Sequence, residues 1–364
     1  MVGSRSPWGV EVRDGVEPFE TEWRALATPA NATPFQAFGL MRLFFRTVVA
    51  NGHGTPVVAL VRHADGRPAA LFPMLRTRRY GLVWLRTDAR PLDFCAPILD
   101  PALTAADVPT IARTVLAAVP GADLLYCNKM PARFFETASV MPDVANAARL
   151  RLSAWSLRLA GRSVADLAAL QPTRSRGHLR RSRQKLERAY AVAFSIAFGD
   201  AITDADFETF RRLRSESAAA KGRSNILDDP FWTDFYLGLR NGEADPCVPW
   251  LAKLTADGEV IAVLFGFQVG TWVMVIMPAS KLGDWKTYAP GLQLMQDTIL
   301  HFHAAGAELF DLSIGDMSYK RRFGCDEVAL HDALFAWRPL GLTYYVAWRA
   351  KIRIRNRMKK IGEN

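Results

Sequence analysis

Asp316, Tyr319 and Lys320 place a carboxylate, a phenol and an ammonium within one short stretch of chain. A carboxylate can take a proton from an attacking amine or hydroxyl. An ammonium can stabilise a developing oxyanion, and a phenol can donate a hydrogen bond or protonate a leaving group. Those are the services that group transfer to a nucleophile requires. On spacing alone, a surface turn of ordinary polar residues explains the triplet better. Nearby, Asp311 sits in the apolar run Leu309-Phe310-Asp311-Leu312. A charge on such a strand is costly without a partner, so Lys320 or an arginine is expected beside it.

The elements that must hold these groups flank them. Residues 272–277 read as an apolar strand and 308–313 as a second one. Between them, Leu292, Met295, Ile299 and Phe302 recur at helical spacing and predict an amphipathic helix over 292–304. The connecting loop ends in Tyr288-Ala289-Pro290-Gly291. Proline suits a helix start, where its fixed φ helps and its missing N–H costs nothing, and Gly291 lets a ligand approach the backbone. Such a helix start turns free N–H groups and the positive dipole end toward a phosphate or carboxylate. An ordinary strand–loop–helix–strand crossover fits this pattern equally well.

The Tyr288-Ala289-Pro290-Gly291 helix start, the Phe310-Asp311-Leu312 strand and Asp316-x-x-Tyr319-Lys320-x-x-Phe323-Gly324 together resemble the CelD/BcsL-type branch of the GNAT N-acyltransferase superfamily. That branch is similar in turn to the Fem-type aminoacyl transferases. The resemblance is most specific over residues 174–324 and weaker before them. It implies an acyltransferase with acetyl-CoA or another acyl-CoA as co-substrate and no metal. The implied acceptor is an amino sugar, a polysaccharide precursor or a similar small polar molecule, in the setting of exopolysaccharide or cellulose production. On this resemblance Tyr288, Pro290, Gly291 and Leu292 contact the donor. Lys320 neutralises charge on the donor or intermediate, Asp316 orients or deprotonates the acceptor, and Tyr319 donates a hydrogen bond or lines the pocket. One departure stands out. The usual pyrophosphate loop, Arg/Gln-x-x-Gly-x-Gly/Ala, is missing before Leu292, where Lys281-Leu282-Gly283-Asp284 stands instead. The second enzymatic reading is Fem-like transfer from aminoacyl-tRNA to a cell-wall precursor, and only there is nucleic acid a partner.

A formal charge of +10 is concentrated in two segments. Arg174, Arg176, Arg180, Arg181, Arg183, Lys185 and Arg188 crowd the first, and residues 349–360 crowd the second. Most charge runs are solvated helix faces. The alternative is an anion cradle, with Arg176, Arg180 and Arg181 as the chosen contributors, while Asp311 is a second carboxylate candidate for binding the substrate. A non-catalytic protein that binds nucleic acid or an anionic membrane surface is the third reading, with Tyr345 and Trp348 beside the basic tail residues suiting a membrane. The four cysteines, Cys95, Cys127, Cys247 and Cys325, lack metal or disulfide spacing, and His301 and His303 fall on different helix faces. No apolar run reaches spanning length, and residues 1–10 lack a signal-peptide core, so a cytoplasmic protein is expected, peripheral to the inner face of the membrane if the tail engages it.

Length predicts more than one domain. A strand, an Asp-Gly turn and a strand occur at 57–76 and again at 250–269, each followed by a helix and a further strand. The expected fold is α/β with a mixed sheet, as two tandem GNAT-like domains with the first degenerate. The expected division is 1–155, 156–340 and a basic amphipathic tail at 341–364.

Overall fold

The computed structural model of the chain describes residues 7–87, 92–220, 222, 224–315 and 317–362, with main chain alone for 353–362. Two compact units are present, Met1–Arg151 with Ala329–Asn364, and Leu152–Val328.

The first unit runs β1 (Gly9–Arg13), α1 (Glu20–Leu26), α2 (Phe38–Ala50), β2 (Thr55–Arg62), β3 (Pro68–Arg79), β4 (Leu82–Arg86), β5 (Ile98–Leu99), α3 (Val108–Ala118), β6 (Leu124–Pro131), β7 (Arg133–Phe134) and β8 (Thr137–Ala138). Strands β1 to β4 form an antiparallel meander. Helix α3 then crosses over, and β6 pairs parallel with β4 through Trp84–Leu124, Leu85–Leu125 and Arg86–Tyr126. The crossover helix buries Val108, Ile111, Ala112 and Val115, the i, i+3, i+4, i+7 stripe, against the strands.

The second unit follows with β9 (Ala147–Arg158), α4 (Val164–Leu170), α5 (Thr173–Ala189), β10 (Val192–Phe198), α6 (Asp204–Ala219), α7 (Pro230–Arg240), β11 (Val248–Ala256), β12 (Glu259–Val269), β13 (Trp272–Ser280), α8 (Pro290–Ala304), β14 (Leu309–Ile314) and α9 (Ser318–Arg322). Its strand order is β9-β14-β13-β12-β11-β10, antiparallel except for β13 with β14. The β11–β12 hairpin closes on Asp257-Gly258, both at positive φ, as a two-residue hairpin turn of matching twist requires. Strand β12 alternates between two layers. Phe265 packs with Phe207 and Phe210 of α6 and Tyr236 of α7, while Trp250 on the neighbouring strand meets Phe302 of α8. Four antiparallel strands, a helix and a parallel strand thus occur once in each unit.

The chain returns to the first unit with β15 (Asp326–Ala336) and α10 (Pro339–Gly362). This differs from the expected division, which gave residues up to 340 to the second domain and left the tail separate. Strand β15 pairs antiparallel with β6, and α10 lays Tyr344 and Trp348 on a cluster of Leu82, Trp84, Leu124 and Leu334. Gly341 makes that close approach possible, because a Cβ there would stand 2.4 Å from the Asp123 carbonyl oxygen. The tail aromatics therefore pack on the first unit, and Tyr345 donates its hydroxyl to Asn146 at 2.8 Å.

Candidate active site

The site begins where two strands part. In the second unit β13 and β14 pair over Trp272–Leu309, Val273–Phe310 and Met274–Asp311. Beyond Met274, β13 runs on to Ser280, whereas Ile314 of β14 pairs with Ala154 of β9. Among the described residues no strand pairs with the edge of 275–280 that faces away from β12. A bulge bends β13 at Ile276, since Phe265 opposes Met277 while Gly266 opposes Val275. Gly266 is what the bend requires. A Cβ at that position would lie 2.0 Å from the Met274 carbonyl oxygen and 2.4 Å from the Trp250 ring. Gly266→Ala is expected to cost about 3 kcal/mol through forced displacement of backbone and ring. An unchanged urea midpoint would contradict this geometry.

The first unit has the same divergence after Arg86–Tyr126, but the chain itself closes it. Cys95 bridges to Asn128, the Leu92 carbonyl accepts from Lys129 at 2.7 Å, and the Phe94 carbonyl accepts from Gln36 at 2.9 Å. Phe94 and Cys95 are buried in consequence.

Three groups border the open stretch 275–280 of the second unit. The first is the start of α8. Ala289 takes a left-handed conformation (φ 49°) and no side chain caps the helix, so the Gly291 N–H precedes the first intrahelical bonds, which Leu292 and Gln293 make to the Ala289 carbonyl. Gly291 faces Ser280, at 3.5 Å from its Oγ to an ideal Cβ. Tyr288 joins Tyr190 and Trp285 in a three-ring cluster, with ring centroids 5.1 to 5.9 Å apart, and the Lys185 ammonium lies 5.1 Å above the Tyr288 ring.

The second is the end of β14. Asp311 is 3% exposed, and its Oδ1 accepts the Ser313 N–H at 2.6 Å. Ser313 sits at φ +57°, and its buried Oγ has no hydrogen-bond partner among the described residues. Lys320 of α9 is 2% exposed and donates to the Ser313 and Ile314 carbonyls at 2.9 Å each. Its ammonium thus holds the end of the strand. The Cys325 thiol lies close enough to feel both Asp311 and Lys320, and burial, aided by Asp311, pushes it up to about 12.

The third is Arg214 of α6, which donates to the Pro278 carbonyl at 3.1 Å. Burial lowers its pKa, while Tyr236 and Tyr319 favour its charged form. Tyr319 packs on the core, and burial, with Cys325 adding to it and Arg214 opposing, pushes its phenol up to about 12.

The arginine-rich helix α5 lies against α8. Leu179 and Leu186 are buried, the Gln293 amide donates to the Leu179 carbonyl at 2.9 Å, and Arg183 bridges Asp297 at 2.7 Å and Glu187 at 2.6 Å. Of the predicted arginines, Arg181 lines a cavity with Arg174, Ser175, His178 and Arg322. Arg176 and Arg180 are not among its lining. Arg176 reaches Thr173 at 3.4 Å and Arg180 is exposed. Asp316 lies outside the described residues.

Tyr288, Pro290, Gly291 and Leu292 are thus gathered at the start of α8, and Asp311, Tyr319 and Lys320 at the end of β14. Sequence reading missed Arg214, Ser313, Tyr190 and Trp285, none of which stands in a distinctive pattern. It named Arg174 only within the basic segment and missed His178; steps of four and three residues, from Arg174 to His178 to Arg181, place all three on one helical face.

Residues 173–321 match the family described as "Acetyltransferase (GNAT) domain". No curated protein matches the chain by sequence. Among solved structures, FemX superposes at a TM-score of 0.56 with 9% identity, over 88% of this chain and 96% of that one. L-PGS from Bacillus licheniformis superposes at 0.52 with 12% identity, over 95% and 99%. A tandem GNAT protein from the clavulanic acid biosynthesis pathway superposes at 0.50 with 13% identity, over 91% and 99%. These likenesses are likenesses of fold. The second unit carries a GNAT acetyltransferase domain, which makes the chain an enzyme of the acyltransferase class.

Proposed function

We propose that the GNAT domain of the second unit transfers an acyl group from acetyl-CoA or another acyl-CoA to the amine or hydroxyl of an amino sugar, a polysaccharide precursor or a similar small polar acceptor. The open divergence of β13 and β14 beside an uncapped helix start carries this reading. The unpaired edge of 275–280 offers backbone donors and acceptors to an extended, amide-bearing arm. The Gly291 N–H and the dipole of α8 suit a diphosphate. The orphaned Ser313 hydroxyl, buried at the end of β14, suits a polar atom of a reactant.

In the transfer, the acceptor nucleophile attacks the thioester carbonyl, its proton passes to a carboxylate, and the C–S bond breaks. Asp316 is the carboxylate assigned here. Tyr319 stays protonated at neutral pH and donates to the developing negative charge. Lys320 keeps the Ser313–Ile314 turn in place. Membership of the CelD/BcsL-type branch, and with it a role in exopolysaccharide or cellulose production, is part of the same proposal.

A panel of amino sugars and glycan precursors, followed by thiol release from acetyl-CoA, tests the reading. Release that rises with one acceptor class supports it. Release indifferent to every acceptor would sink it. No binding of any acyl-CoA by the folded protein would move the donor to aminoacyl-tRNA.

We infer that α10 makes peripheral contact with an anionic membrane. No described helix is long and apolar enough to cross a membrane. Leu340 (69% exposed), Leu342 and Val346 (65% exposed) nonetheless project from α10 beside Arg349 and Lys351. Sedimentation with phosphatidylglycerol vesicles is expected to carry the protein down, and Leu342→Glu with Val346→Glu to release it. Equal recovery with phosphatidylcholine vesicles would count against the contact.

A further inference from the structure

The cavity at the start of α5 gathers three guanidinium groups and an imidazole. Its lining is Arg174, Ser175, His178, Arg181 and Arg322, and its volume is about 560 Å³. Among the described residues no carboxylate lines it or pairs with Arg174, Arg181 or Arg322. Other cations nearby are engaged elsewhere. Arg183 is held by Glu187 and Asp297, Arg321 lies 5.0 Å over the Trp155 ring, and Lys320 is turned onto the end of β14. Like charges gathered without a counter-ion repel one another, so their convergence is imposed by the fold.

That imposition is visible on both sides. Arg174, His178 and Arg181 share one face of α5, and the opposite side of the helix is fixed by buried Leu179 and Leu186 and by the Arg183 bridge to α8. Arg322 comes from α9, whose position is set by Lys320 before it and Gly324 after it. At Gly324 a Cβ would stand 2.5 Å from Leu170 Cβ. Planar guanidinium forks at a concave site, with a hydroxyl and an imidazole N–H beside them, match the oxygens of a phosphate. The volume lies within the range of small-ligand sites.

We propose that this cavity is a phosphate-binding site for a phosphomonoester or diphosphate carried by one of the reactants. It holds a donor phosphate other than the diphosphate placed at the start of α8, or it selects a phosphorylated acceptor. Naming the ligand as a reactant rests on the acyl-transfer reading, whereas the site itself does not.

Calorimetric titration of the full chain with inorganic pyrophosphate is the test. Wild type is expected to bind saturably, with Arg181→Ala and Arg322→Ala each weakening binding by about 10-fold or more. Arg188→Ala, an exposed charge on the same helix, is expected to stay within about two-fold. No saturable binding, or equal weakening by Arg188→Ala, would overturn the proposal. Parallel titrations with CoA identify the carrier. Loss of CoA affinity in step with pyrophosphate assigns the phosphate to the donor. Unchanged CoA affinity beside lost pyrophosphate affinity assigns it to the acceptor. Pyrophosphate binding with no CoA binding in wild type would remove the acyl-CoA reading and leave the site standing.

Discussion

Tyr319→Phe is expected to lower kcat by about 100-fold while changing the KM for acyl-CoA little, because the lost hydroxyl acts on charge that develops only during transfer. The phenol is pushed up to about 12 by burial, so it remains a donor across the working range and cannot serve as a base. The same shift has a consequence for stability. A phenol in the unfolded chain titrates near 10.0, and the folded chain keeps the proton above that pH while the unfolded chain releases it. This group's contribution is therefore full below pH 10 and is lost as pH rises toward 12. In the phenylalanine variant that part of the alkaline decline in Tm disappears. The remainder begins near pH 9, where the Cys325 thiol, also pushed up to about 12, starts to ionise in the unfolded chain. A kcat unchanged in Tyr319→Phe would remove the phenol from the chemistry.

Lys320→Met is expected to destabilise the second unit by about 3 kcal/mol or more. Two charge-assisted bonds to the Ser313 and Ile314 carbonyls are lost, and both acceptors are left without them in the interior. Activity is expected to fall with the fold, since the left-handed Ser313 turn loses its tether. Asp311→Asn combined with Lys320→Met should cost less than the two single changes added together. Both charges act on the same buried thiol, and removing one leaves the other uncompensated. Urea midpoints of the four proteins measure this, and strict additivity would show that the two groups act independently.

The strand–helix–strand frame of the site was legible because its signals are local. The stripe of Leu292, Met295, Ile299 and Phe302 and the Pro290 start required no knowledge of tertiary structure. The Asp-Gly hairpins were legible for the same reason. What escaped depends on direction and on long-range pairing. Lys320 reads as a ligand-facing cation in one dimension, but a short helix aims it inward, and no periodic pattern over five residues reports that. Asp311 was expected to need a cation, yet its carboxylate also accepts the N–H two residues on, a bond that exists because β14 bulges there. Helix α5 begins at Thr173, which puts Arg174 on one face with His178 and Arg181, a grouping that the basic segment read as a charge run does not reveal. Strand β15 went unread. Its pairing with β6 is set by contacts far off in sequence, as in the bond between Tyr126 and Asp332, 206 residues apart.

A divergence like that of β13 and β14 exists in both units in outline, with three paired residues in each, yet among the described residues only the second is open. Residues 92–95 fill the first with backbone, which gives the first unit's degeneracy a physical form. Whether the second opening receives an acyl donor is the central claim.

Calorimetric titration with acetyl-CoA, on wild type and on Gly291→Trp, tests it most directly. Gly291 is helical and not at positive φ, so the fold tolerates a side chain there, but an indole would occupy the uncapped start of α8 beside Ser280. The account predicts saturable binding by wild type and its loss in the variant, with both proteins unfolding at similar temperature. No binding by folded wild type, or equal binding by both, would contradict it.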